Sequence, residues 1–214
     1  MQIPFEACST FMVTGASKSG KTQFVYKLLT TSNAFTKPID KILYCYGIYQ
    51  PFYDLMKKNI KNIDFQNGLP TDIDSFANGK HCVIICDDLM DQFINDNLCK
   101  TLFVQGSHHL SLSVIFITHN AFAQGKYART IALNCNYLIL FKNFRDGSQI
   151  VNLGKQMFPG QGQILVESYN DATSIPYNPL IVDLCANTNN KTRLRSNIFF
   201  DTWVYVPKSI KAEK

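Results

Sequence analysis

Charge is scarce in this sequence. Asp, Glu, Lys and Arg together make up 17% of its 214 residues, against about 25% in an average soluble protein. An oligomer contact fits a surface with so little charge. Arginine is scarcer still, with only Arg129, Arg145, Arg193 and Arg195 beside 17 lysines. No apolar run approaches the roughly 18–20 residues that span a bilayer. The longest, around Val114–Ile117 and Tyr137–Phe141, have the size of buried strands, so no membrane association is expected. Met1–Ala7 has neither the basic nor the apolar region of a secretory signal, and the chain reads as intracellular, not secreted. No CxxC pair occurs among Cys8, Cys45, Cys82, Cys86, Cys99, Cys135 and Cys185. Their odd number and their places in strand-like runs predict buried, reduced thiols. His81, His108, His109 and His119 show no zinc spacing with them. Repeats and low-complexity stretches are also missing.

What remains is a globular composition. Apolar residues make up 46% and aromatics 13% of the chain, enough for a sizeable core and one large domain. Disorder over most of its length is excluded. The net charge of +5 permits a nucleic-acid partner without demanding one. Short apolar runs alternate with longer amphipathic ones, which predicts a mostly parallel sheet flanked by helices on both faces. Strands are expected over Ser9–Thr14, Lys41–Tyr46, His81–Asp88, Leu112–Thr118, Asn136–Lys142 and Pro179–Leu184. Helices are expected over Lys21–Leu29, Pro51–Lys58, Asp91–Gln105, Asp146–Met157 and Gln163–Tyr169. Pro70–Phe76 reads as loop or short helix. Residues 1–185 form the expected domain. Residues 186–214 form a polar, basic extension, either part of the same unit or a docking or oligomer arm.

Gly15, Ala16, Ser17, Lys18, Ser19, Gly20, Lys21 and Thr22 fit the pattern GxxxxGK[ST] at every fixed position, between a predicted strand and a predicted helix. The pattern reads as the phosphate loop of a P-loop NTPase rather than a chance match on a Gly/Ser-rich turn. Gly15 and Gly20 permit backbone angles that a side chain forbids, so successive N–H groups turn inward. Those donors and the helix N-terminus form an anion nest. Lys21 is expected to reach the β- and γ-phosphates of ATP, and Thr22 to place its hydroxyl on Mg²⁺. Lys18 stands at a variable position and either touches phosphate or faces solvent.

A phosphate loop needs an acid to hold Mg²⁺. Val83–Asp88 delivers Asp87 and Asp88 from an apolar strand to the edge where open α/β sheets bind ligands. Asp87 is the expected Walker B acid, on Mg²⁺ directly or through water. Asp88 either orients the attacking water or caps the next helix. A second acid favours water as nucleophile, hence an ATPase over a small-molecule kinase. The strand Leu112–Thr118 ends in Thr118, His119 and Asn120. In additional-strand ATPases this strand lies between the phosphate-loop and Walker B strands. His119 or Asn120 is then the γ-phosphate sensor, unless both are turn residues. Arg129 and Arg145 are the candidates for an arginine finger donated to a neighbouring subunit. Each reads equally as a surface ion pair.

The GASKSGKT loop, the VIICDDLM strand and the run Phe116–Arg145 together resemble the FtsK/HerA-superfamily genome-packaging ATPases of double-stranded DNA viruses. The likeness is nearest to those of Polinton/Maverick elements, adintoviruses and virophages, with the poxvirus packaging ATPase more distant. Asn170–Pro176, Leu180–Leu184 and Thr192–Phe199 extend it over nearly the whole chain. The resemblance implies a RecA-like fold and a homo-oligomeric ring that drives double-stranded DNA into a capsid, docked on capsid protein, in the nucleus or cytoplasm of an infected cell. It puts Lys21, Thr22, Asp87 and Asp88 at nucleotide-site positions. Relatives usually carry Gln where this chain has His119. Two other readings stand beside this one: a nucleoside-type P-loop kinase, disfavoured by the few arginines, and a nucleotide-binding module without turnover. A translocating ring grips DNA phosphates rather than bases. Basic residues suit that grip, although each cluster reads first as a solvated face; Lys57, Lys58 and Lys61 form one candidate cluster. Lys191, Arg193 and Arg195 form another, with Lys208, Lys211 and Lys214 beyond.

Overall fold

Strands buried on both faces read as continuous apolar runs, and five such runs build the centre of this protein. In the computed structural model, which describes residues 3–77, 79–89, 92, 98, 102, 110–119 and 134–207, every residue of β1 (Thr10–Thr14), β4 (Cys82–Asp87), β5 (Leu112–Thr118), β6 (Tyr137–Leu140) and β7 (Leu180–Asp183) is buried. With β2 (Lys41–Tyr46), β3 (Ile63–Asn67), β8 (Leu194–Ser196) and β9 (Trp203–Tyr205) they form one nine-stranded sheet. Its order is β3-β2-β4-β5-β1-β6-β7-β8-β9. Pairing is parallel from β3 to β6 and antiparallel from β6 to β9. The chain is therefore α/β with a mostly parallel sheet.

Alternate residues of the central strands feed two cores. Phe11, Val13, Val83, Ile85, Ile115 and Ile117 enter one, beneath α1 (Lys21–Thr30) and α2 (Phe52–Asn59) through Phe24, Val25, Leu28, Tyr53 and Met56. Met12, Ile84, Cys86, Val114 and Phe116 enter the other. There Ile73 and Phe76 of α3 (Ile73–Phe76), Ile150 of α4 (Gly147–Met157) and Leu165 and Ala172 of α5 (Gln163–Ala172) cover the sheet. The helix expected over Asp91–Gln105 lies outside the described residues except at Gln92, Leu98 and Leu102. The six described cysteines are unbridged.

β5 runs between β4 and β1, with Thr14 opposite Thr118 and Asp87 opposite Ile117. Three chain segments thus leave the sheet side by side at its C-terminal edge: the loop from Gly15, the turn at Asp88, and His119. Residues 194–196 and 203–205, in the stretch the sequence set apart, extend the same sheet as β8 and β9.

One expected basic cluster is corrected here. Arg195 is 1% exposed and donates to Asp183 Oδ2 at 3.1 Å and to the Ile3 carbonyl at 3.3 Å. Arg193 donates to the carbonyls of Asp183, Cys185 and Thr188. Arg195 is thus engaged inside the fold, and the half-buried Arg193 ties together the turn that follows β7. Lys57, Lys58, Lys61 and Lys191 are exposed, while Lys208, Lys211 and Lys214 lie outside the described residues. Removing one partner of a buried ion pair strands the other charge. Arg195→Ala should therefore lower the unfolding free energy by about 3–5 kcal/mol, whereas Lys191→Ala should stay within about 0.5 kcal/mol. Denaturant unfolding checks this, and equal effects would refute the buried role of Arg195.

Candidate functional site

The turn after β1 is shaped by close packing. A Cβ on Gly15 would lie 2.5 Å from Cβ of Phe141, so only glycine lets the loop pass β6. The loop closes through Ser19 N–H to the Ala16 carbonyl (3.2 Å), with Lys18 at a φ of 62°. α1 then begins at Lys21 with no side-chain cap. Its first backbone bond to a carbonyl is Phe24 N–H to Gly20 (2.9 Å), and among the described residues the N–H groups of Lys21, Thr22 and Gln23 take no carbonyl. The start of α1 is thus uncapped with donors to spare, an arrangement in which helix N-termini can take anions.

Lys21 does not extend into solvent. Its Nζ donates to the carbonyls of Gly15 and Ala16, both at 2.8 Å, and meets Nδ1 of His119 at 3.2 Å. Burial lowers the Lys21 pKa to about 8, against the pull of Asp87 and Asp88. Thr22 Oγ1 donates to Asp87 Oδ2 at 3.4 Å.

Asp87 is 4% exposed and held from behind. Its Oδ2 accepts from the Tyr44 hydroxyl at 2.6 Å and from the Tyr53 hydroxyl at 3.1 Å. All three donors fall on Oδ2, which leaves Oδ1 without a hydrogen bond among the described residues. Burial pushes the Asp87 carboxyl above its ordinary value, and the Tyr44 and Tyr53 hydroxyls oppose that shift. The two tyrosines were missed in the sequence, where Lys41–Tyr46 reads only as a strand and Pro51–Lys58 only as a helix. The available signal was their chemistry, because a buried phenol needs a hydrogen-bond partner.

Asp88 turns out of the strand at a φ of 56°, a strained value for a residue with a side chain. Gly47 braces that turn. Its N–H donates to the Asp87 carbonyl at 3.0 Å, and a Cβ on it would lie 2.5 Å from the Asp88 carbonyl oxygen. Asp88 Oδ1 stands 3.9 Å from Nε2 of His119, with both side chains about half exposed.

These groups line one cavity of about 700 Å³. Of the residues expected there, Ser17, Lys18, Ser19, Gly20, Lys21, Thr22, Asp87, Asp88 and His119 line it. Gly15 and Ala16 do not, but their carbonyls hold Lys21. Arg145 is exposed on the turn after β6 and does not line the cavity. Asn120 and Arg129 lie outside the described residues. Gln23, Lys27, Gln50 and Tyr177 join the lining without a sequence signal.

No group of three or more His, Cys, Asp and Glu suited to a metal occurs among the described residues. Thr22 Oγ1 and Asp87 Oδ1 are hard oxygen donors, and they suit Mg²⁺, which takes one or two protein ligands and fills its shell with phosphate and water. No helix among the described residues is long and apolar enough to cross a membrane. No protein-family model matches the chain, and no curated protein sequence matches it.

Two measurements test this geometry. Lys21 Nζ should titrate near pH 8 by NMR of labelled lysine. The amine is charged below that pH and loses its charge above it, so anion affinity should fall as pH rises past 8. Binding in that range should take up a proton. A midpoint near the ordinary lysine value would refute the burial. Tyr44→Phe should lower the unfolding free energy by about 1.5–3 kcal/mol, the range for a hydrogen bond to a charged group. An unchanged value would mean that the Tyr44 contact carries nothing.

Proposed function

We propose that this chain is a P-loop ATPase of the RecA-like, additional-strand type, and that it works as a DNA translocase packaging double-stranded viral or virus-like DNA into capsids. One observation carries the ATPase part: Lys21 and Thr22 share a cavity with Asp87 and Asp88, at the edge where β5 separates β1 from β4. A loop that binds phosphate and a carboxylate pair that handles metal and water are the two halves of a nucleotide hydrolysis site.

Each residue has a task in that reading. The N–H groups at the start of α1 take the phosphate oxygens. Lys21 exchanges the Gly15 and Ala16 carbonyls for phosphate oxygens and places its charge where negative charge gathers. Thr22 and Asp87 hold Mg²⁺, which when bound offsets charge on the phosphates. Tyr44 and Tyr53 fix Oδ2 of Asp87 so that Oδ1 stays free for that task. Asp88, half exposed at the cavity wall, accepts a hydrogen bond from the attacking water and orients it. His119 touches Lys21 and faces Asp88, so it senses both the phosphate end and the water end of the site.

The DNA-packaging part rests on the resemblance to FtsK/HerA packaging ATPases and on the exposed lysines Lys57, Lys58 and Lys61. A ring of copies, with Arg129 or Arg145 of one subunit completing the site of the next, follows from that resemblance, as does docking on capsid protein.

The test is steady-state ATP hydrolysis by the purified chain, with and without long double-stranded DNA. Turnover should rise with DNA and fall at least about 100-fold in Lys21→Ala and in Asp88→Asn, the scale of losing a group that acts on the transition state. DNA binding should weaken steeply with salt. Hydrolysis that Lys21→Ala retains would overturn the ATPase. Hydrolysis that DNA leaves unchanged would overturn the translocase.

A further inference from the structure

Two segments that the phosphate loop does not use meet beside it. Ile175 and Pro176 close one, Asn197, Ile198 and Phe199 close the other, and with the outer face of α1 they enclose a second cavity of about 220 Å³. Gly20, Gln23, Lys27 and Tyr177 line both cavities. The second cavity has aromatic walls. Phe24 and Phe199 pack with ring centroids 5.2 Å apart, and Lys27 Nζ lies 5.9 Å from the Phe199 ring.

Tyr177 stands on the boundary between the two cavities. It is 73% exposed, although its φ is 63°, which a bulky residue rarely adopts. It lies against the loop, where a Cβ on Gly20 would come within 3.1 Å of its ring. Neighbouring bonds hold it in place. Asn178 Nδ2 donates to the Ala172 carbonyl at 2.9 Å, and Asn178 Oδ1 accepts from Asn197 N–H at 3.2 Å. An exposed aromatic in a strained, braced backbone wins no burial from its position. Such strain persists where the site uses it.

We infer that the second cavity is the nucleobase subsite of a nucleoside triphosphate whose phosphates occupy the loop 15–22, with Tyr177 as its stacking platform. The inference rests on the nucleotide reading above. The occupant follows from continuity: a ligand that fits both cavities carries phosphate at one end and a flat apolar group at the other. Every base presents a π-face, and aromatic side chains bind it by stacking. The exposed Gln23 amide, which has no hydrogen-bond partner among the described residues, faces both cavities and offers a donor and an acceptor to the base edge.

The test compares ATP with inorganic tripolyphosphate by calorimetry, with Mg²⁺ present, on the full chain. The unsubstituted chain should bind ATP more tightly than tripolyphosphate. Tyr177→Ala should weaken ATP about 10-fold, the order of losing one base–aromatic stack, and leave tripolyphosphate unchanged. Tyr177→Phe keeps the ring and should keep the preference. An ATP-to-tripolyphosphate ratio that Tyr177→Ala does not move would overturn the base subsite. Binding of tripolyphosphate that depends on Lys21, without tighter ATP binding, would remove the base subsite and leave the phosphate site standing. Failure of both ligands to bind would remove both.

Discussion

The register of three parallel strands holds this protein's chemistry together. β4, β5 and β1 are buried on both faces and apolar through their middles, so their polar residues that reach the cavity, Asp87 and Thr118, stand at the strand ends. Polar function has to wait until each strand ends. The ladder pairs Thr14 with Thr118 and Ile117 with Asp87, so all three end at nearly the same level. A one-residue slip of β5 would exchange the two cores and move His119 away from Lys21. The burial that makes the strands stable therefore also fixes where the site stands.

That arrangement leaves the site electrostatically unfinished. Lys21 and Asp87 are both nearly buried, and burial disfavours the charged form of each: the lysine pKa comes down to about 8 and the carboxyl pKa goes up. Neither settles into a direct ion pair with the other. Lys21 spends its hydrogens on two loop carbonyls and His119, and Asp87 accepts hydroxyls on one oxygen only. An anion on the loop together with a cation at Asp87 would satisfy both groups at once. The backbone shows the same tension, with Lys18, Asp88 and Tyr177 all at positive φ around one cavity. Strained backbone of this kind clusters at functional sites.

The parts legible in the sequence were those whose signal is local. Six strands announced themselves as apolar runs, and the loop 15–22 and the acids after Cys86 are read from adjacent residues. β3 was missed because Asp64 and Gln66 interrupt Ile63 and Phe65 on a sheet edge, and β8 and β9 because three residues are too short to show a period. The tyrosines behind Asp87 come from 34 and 43 residues away, so only the fold brings them to it. Arg195 failed as a surface cation for the same reason. Its partner Asp183 lies on the strand paired with its own, a contact that charge counting cannot see.

His119 stands between the two ends of the site, touching Lys21 on one side and facing Asp88 on the other. An ammonium group has only donors, so Lys21 in its charged form requires Nδ1 of His119 to accept. The ring proton of the neutral imidazole then sits on Nε2, the nitrogen facing Asp88 at 3.9 Å. A glutamine amide would do the same two things, accepting from the lysine through its oxygen and donating toward the acid through its nitrogen. Histidine thus reproduces the pair of roles in a single tautomer, and only while neutral. A doubly protonated ring has no acceptor left for Lys21 and would place a second positive charge against it.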